Sequence, residues 1–284
     1  MSPLILLLFA FLFSPTIANE ICTNDFYYNT GYHGYYCWKV MSSALSQTDA
    51  DEECKKQGGA ALTAINGFYQ NLDFSRMVAR ASVAETWLGL VCNASTPTSC
   101  YWTDDREDLT AWNNFRDGSP NTTIGECVVL DTSDKTWFSK DCGAKTRFTC
   151  ELPPTTSDDN CPNNYNRHCY TVHLTPKKFE DAQSICEQNC GNLVSVHSEL
   201  ENRYITTLFS DSGTTSLGGI APSKVTILWN DYSTQVYSNI RDLNSGSCVY
   251  MDVGDGTDGH WYTDICSKET WFVCKRPTGL KCEL

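Results

Sequence analysis

Ala50 and Cys54 stand four residues apart behind Ser46-x-x-Asp49, a helix capping box ahead of an apolar helical face. Phe179, Ala182 and Cys186 repeat that spacing behind Thr175-Pro176, which reads as an N-cap with a first-turn proline. Gly58-Gly59 follows the first run, and Gly191 after Cys190 follows the second, so both helices should end there. Second helices are predicted in QNLDFSRMVARA (70–81) and SELENRYITTLF (198–209). What remains is strand-like and broken by turns: ETWLGLV, SCYWTDD, GECVVLD and RFTCEL, then VTILWND, SCVYMDV and TWFVCKR. Two helices followed by short strands, twice over, predict an α+β class for each half. Trp87, Trp102, Trp229 and Trp271 read as core aromatics.

The N-terminal pattern is different. Residues 1–18, MSPLILLLFAFLFSPTIA, are apolar and carry no charged side chain. The run from Leu4 to Phe13 is too short for a bilayer, and Thr16-Ile17-Ala18 offers small residues before a cut. A cleaved signal peptide is expected, and with it a secreted, extracellular chain. No later stretch has the length of a membrane span, and PTGLKCEL at the C-terminus is no lipid-anchor signal. Sixteen cysteines fit an oxidising compartment, so disulfides are expected before metals or catalysis. Cys186-x-x-x-Cys190 is half a zinc motif without a second half, and the histidines show no ligand spacing. No metal and no cofactor are expected. The net charge of −13, without a basic patch, argues against nucleic acid and anionic membranes as partners.

Cysteine spacing exposes a duplication. Cys37 and Cys54 are spaced as Cys169 and Cys186 are, and Cys142 and Cys150 as Cys266 and Cys274 are. Trp137 precedes Cys142 as Trp261 precedes Cys266. The repeat is far too long for a solenoid, so each unit is a domain. The expected division is 1–18 signal peptide, 19–152 first domain, 153–160 linker, and 161–284 second domain with a short tail. Prolines stiffen the start of the linker and Thr, Ser and Asp solvate the rest.

ADEECKKQGG, TWLGL, YWTDD, GSPN, GECVVL, W-x4-C and FTCE, in that order, resemble the C-type lectin-like domain. FEDAQSICEQNCGNLVSVHSELEN, SLGGI, LWNDYS, SCVYM, WYTDIC and WFVCK carry the same resemblance in the second half, as in secreted tandem lectin-like proteins of nematodes. The resemblance implies two helices, a small antiparallel sheet and a long-loop region in each domain, pinned by disulfides. It implies the bridges Cys54–Cys150, Cys127–Cys142, Cys186–Cys274 and Cys248–Cys266, with N-terminal hairpin bridges Cys22–Cys37 and Cys161–Cys169. The cysteines left over pair as Cys92–Cys100 and Cys190–Cys282.

Sugar-binding members of that family hold calcium through a Glu-Pro-Asn loop with a cis proline, an acid before the loop-bracing cysteine, and an Asn-Asp pair after the last tryptophan. Calcium wants six to eight oxygens, several of them carboxylate. This chain has Ser119-Pro120-Asn121 in place of Glu-Pro-Asn. Gly125 stands at the acidic position, with Glu126 beside it, and Trp137 is followed by Phe138-Ser139. In the second half YSNIRDLNSGSC has no proline, and Trp261 is followed by Tyr262-Thr263. The degenerate site candidates are Ser119, Pro120, Asn121 and Glu126. Asn93 and Asn121 head N-glycosylation sequons, and the second half has none. DVGDGTDGH, Asp252 to His260, reads as a turn, with a weak calcium site as its alternative. DDRED, Asp104 to Asp108, reads as a solvated turn.

The expected function is extracellular recognition of a protein or glycan surface without calcium, in a setting such as innate defence. The alternative is a lectin that binds sugar through a divergent site in the first domain. An enzyme is not expected: there is no Gly-x-Ser-x-Gly, no Cys/His pair, and the cysteines are committed to bridges.

Overall fold

The computed structural model describes residues 20–31, 34–104 and 112–280. The expected signal peptide, the Asp105–Asp108 part of DDRED, and Cys282 lie outside these residues. Each half of the chain forms its own mixed sheet with two helices. The first has α1 (Gln47–Lys55) and α2 (Phe68–Arg80), the second α3 (Phe179–Gln188) and α4 (Glu199–Thr207).

The two sheets share one order. In the first half it runs Tyr27–Gly31, Gly34–Leu45, Thr146–Leu152, Glu85–Cys92, Cys127–Asp131, Trp137–Lys140. In the second it runs Asn163–Tyr165, His168–Lys177, Thr270–Pro277, Gly213–Ser223, Cys248–Val253, Trp261–Asp264, and then Ile240–Leu243. Most pairs are antiparallel. The central pair of each sheet is parallel, with Trp87 opposite Phe148 and Ser216 opposite Phe272. The buried faces of these strands make the core, with Trp38, Trp87, Trp102, Trp137 and Trp261 among its largest side chains. Trp87, Trp102 and Trp229 are buried, whereas Trp271 is half-buried and stacks on Phe209 at 5.6 Å.

α1 starts as its capping box dictates. The Asp49 N–H donates to Ser46 Oγ, and the Ser46 hydroxyl donates to Asp49 Oδ2 at 2.6 Å. α3 departs from the sequence reading. Thr175 and Pro176 lie in the His168–Lys177 strand, and Lys178 is the N-cap. Lys177 still pairs with Thr270, after a register shift between His173 and Lys177 that accommodates a residue with no N–H to donate. The end of α3 also differs. Cys190, not Gly191, takes the left-handed conformation at φ +57°.

Among the described residues, seven disulfides join Cys22–Cys37, Cys54–Cys150, Cys92–Cys100, Cys127–Cys142, Cys161–Cys169, Cys186–Cys274 and Cys248–Cys266. Cys54–Cys150 and Cys186–Cys274 tie the first helix of each half to its last strand.

The two halves are in contact. Arg203 of α4 reaches Asp51 of α1 at 2.8 Å and Glu199 of its own helix at 3.1 Å. Gly59 packs so tightly on the α4 backbone that a Cβ there would lie 2.5 Å from Tyr204 Cα, and its φ of +76° disfavours other residues independently. The linker is ordered by pairing: Thr155–Thr156 forms a two-stranded sheet with Glu20–Ile21. Asp158 in that segment accepts from Arg276 at 2.9 Å.

Candidate functional site

The long loop of the first half rests on Trp137. Its indole N–H donates to Asn71 Oδ1 of α2 at 2.8 Å, and Trp102, Trp112 and Phe115 meet its ring edge-on. The second half repeats the device, with Trp261 donating to Asn202 Oδ1 of α4 at 2.8 Å and Trp229 and Tyr237 around the ring. Sequence reading missed both asparagines. Their signal was positional, since Asn71 and Asn202 occupy the same turn of the second helix in each repeat.

The loop carries the expected candidates to one edge of the sheet. The Ser119–Pro120 peptide is cis, Pro120 is buried, and the Asn121 N–H donates to Ser139 Oγ at 2.8 Å. Asn121 Oδ1, the amide oxygen a cation would need, already accepts the N–H and the hydroxyl of Thr123, at 3.1 and 2.7 Å. The Arg116 guanidinium lies 3.7 Å above the Phe138 ring, so a cation sits against the residue that follows Trp137. Glu126 is exposed, and its backbone carbonyl accepts from Cys92.

Gly125 has a steric explanation. A Cβ on it would lie 2.2 Å from the carbonyl oxygen of Lys140, so no carboxylate-bearing residue fits this backbone. Gly246 repeats this in the second half, 2.0 Å from the carbonyl oxygen of Asp264. Asp264, the acid one place late after Trp261, is also engaged: the Ile265 N–H and Lys268 hold it, and both keep its pKa below the usual carboxylate value. Lys268 also donates to the Tyr262 hydroxyl at 3.2 Å. Among the described residues, no group of three or more His, Cys, Asp or Glu side chains is placed to hold one metal ion.

The Asp252–His260 segment turns through Gly254, Gly256 and Gly259, all at positive φ. It also performs a task the sequence did not suggest. Lys55 of the first half donates to the Thr257 carbonyl at 3.0 Å and pairs with Asp258 at 3.6 Å. In DDRED, Asp104 is buried rather than solvated.

One further polar cluster contains serine, histidine and aspartate. Ser195 and Ser233 donate to the two Asp231 oxygens, each at 2.5 Å, and His197 Nε2 lies 3.0 Å from both hydroxyls. With both hydroxyl protons on Asp231, His197 is the donor to the serines rather than their base. Lys275 donates to Glu201 at 2.5 Å and to the Ser195 carbonyl at 3.0 Å, and Tyr170 donates to Glu201 at 2.7 Å. This is a structural network and lacks nucleophile-to-base geometry.

Burial lowers the pKa of His197, His168 and His173, and Lys275 reinforces the shift at His197 and His168. The unfolded chain therefore takes up protons first as pH falls below about 6.5, and folded stability must decrease there. Burial pushes Asp231 up, but the hydrogen bonds from Ser195 and Ser233 leave it lowered, so its contribution is lost at still more acid pH. The melting temperature is expected to fall steadily from pH 7 to pH 5. A flat profile over that interval contradicts this.

The fold and loops are those of C-type lectin domains. The Lectin C-type domain model matches residues 43–152 and 175–276, and the chain belongs to that family, which is made of binding domains that normally have no enzymatic activity. The chain is 37% identical over 270 residues to C-type lectin domain-containing protein 38 of Caenorhabditis elegans, covering 93% of this chain and 69% of that protein. It is 24% identical over 294 residues to the secretory phospholipase A2 receptor of Pongo abelii, covering 92% of this chain but only 19% of the receptor. Among solved structures, the cow C-type carbohydrate-recognition domain of CD23 aligns at 27% identity and a TM-score of 0.38, covering 44% of this chain and 100% of that one.

Proposed function

We propose that this protein is a secreted recognition protein whose paired lectin-like domains bind an extracellular protein or glycan surface without calcium, in defence of an exposed tissue surface. The observation that carries this reading is the state of Asn121. Its amide oxygen is taken by Thr123 and its backbone N–H by Ser139, while Ser119, Gly125 and Phe138 supply no carboxylate. Calcium needs several anionic oxygens in one place, and this loop offers it a guanidinium instead. Support for a protein surface comes from the second domain. Val225, Leu228 and Tyr232 are 82%, 62% and 96% exposed there, near the half-exposed Ile220. The contact between the domains through Arg203 and Gly59 fixes the orientation of this surface relative to the first domain.

The test is a screen of the oxidised, full chain against glycans and surface proteins, run with calcium and with chelator. Binding partners are expected to be retained in chelator. The melting temperature is expected to be the same in both conditions. A calcium site at a hundredfold excess over its Kd would add about 2.7 kcal/mol, a clear shift. Retention on a sugar resin that chelator abolishes and that Glu126→Gln weakens favours a sugar-binding lectin with a divergent first-domain site instead. Ser119→Glu alone is expected not to create calcium binding, because position 125 has no room for the partner acid.

A further inference from the structure

The two sequons are 28 positions apart in sequence, yet the fold brings them together. Asn93-Ala94-Ser95 follows the Glu85–Cys92 strand in an exposed turn held by the Cys92–Cys100 bridge. Asn121-Thr122-Thr123 lies in the long loop. Ser95 Oγ accepts the Thr122 N–H at 3.0 Å and lies 3.1 Å from the Thr122 hydroxyl. The hydroxyl that completes one sequon is thus bonded to the middle residue of the other. Asn93 is exposed and Asn121 half-exposed. Within the second sequon, Thr123 engages the amide oxygen of Asn121, whereas an N-linked sugar is carried by the amide nitrogen.

We propose that Asn93 and Asn121 are both N-glycosylated and that their glycans form one patch over the loop where a lectin of this family would hold its ligand. The transfer requires a lipid-pyrophosphate-linked oligosaccharide. A bond forms between Asn Nδ2 and the anomeric carbon as the carbon–oxygen bond to pyrophosphate breaks. Nδ2 loses one proton and the lipid pyrophosphate leaves. Ile124, which follows the second sequon and is 59% exposed, lies under the patch. Recognition then falls to the remaining surfaces, above all those of the second domain, which carries no sequon. This inference rests on the secretion stated above.

The experiment expresses the full chain in insect cells and maps peptides after glycosidase treatment in heavy-oxygen water. Glycans are expected at both Asn93 and Asn121, with Asn93→Gln and Asn121→Gln each removing one. Hydroxyl-radical footprinting then compares the glycosylated chain with the double variant, and Ile124 is expected to be labelled several-fold less in the former. A bare Asn93 or Asn121 in chain recovered from the medium overturns the proposal and leaves secretion standing. A chain found only in the cytosol, without glycans, overturns both. Equal labelling of Ile124 overturns the covering patch.

Discussion

Replacing both Cys54 and Cys150 by serine is expected to unfold the first domain well below the melting temperature of the second. The bridge joins residues 96 apart, α1 to the last strand of the sheet. In the chain-entropy model, opening a loop of that size costs roughly 4–5 kcal/mol, a large part of the 5–15 kcal/mol typical of a domain. Both cysteines are fully buried in the core, so serine hydroxyls placed there add a desolvation penalty. The control is Cys92→Ser with Cys100→Ser. That bridge spans 8 residues, its cysteines are also buried, and the same model gives about 2–3 kcal/mol for the loop. Calorimetry of the full chain should show the single wild-type transition split in the Cys54/Cys150 variant, with the first domain melting lower, and a smaller effect in the control. Equal shifts in the two variants rule out loop size as the origin of the difference.

Much of this fold was legible because its signals are local or periodic. Capping at Ser46 needs only Asp49, and each predicted strand run lies in or around an observed strand. The duplication was legible because disulfide-bonded cysteines and buried tryptophans keep their intervals. The Thr175-Pro176 start of α3 failed for a tertiary reason: the sheet holds Lys177 opposite Thr270, which delays the helix to Phe179. Ser119, Pro120, Asn121 and Glu126 were legible as site candidates, but their surroundings were not. That Gly125 abuts the Lys140 carbonyl, that Asn121 is bonded to Ser139, and that Arg116 covers Phe138 are contacts between separate strands and turns. The contact between the domains left no local mark at all. Asp51 reads as an ordinary exposed acid on α1 and Arg203 as an ordinary base on α4, in a pair separated by 152 positions.

Arg203→Leu is therefore expected to uncouple the domains. The guanidinium is 12% exposed and lies between Asp51, at 18%, and Glu199, at 22%. Burial works against its charge, yet the two carboxylates more than offset this and raise its pKa. Removing the cation leaves two carboxylates facing each other in a partly dehydrated interface. Loss of one partner in a buried pair costs about 3–5 kcal/mol, and the residual exposure here brings that to roughly 2–3 kcal/mol. The cost falls on α1 and α4 together, because Asp51 also accepts the backbone N–H of Leu62 and Gly59 packs directly on Tyr204. The wild-type chain is expected to melt in one cooperative transition, and the Arg203→Leu chain in two. Adding Asp51→Leu should recover part of the loss, since it removes the stranded charge and places apolar surface against apolar surface. If the double variant is as unstable as the sum of the single variants, the pair is not coupled, and other contacts, such as Gly59 on Tyr204 and Lys55 with Thr257 and Asp258, hold the interface.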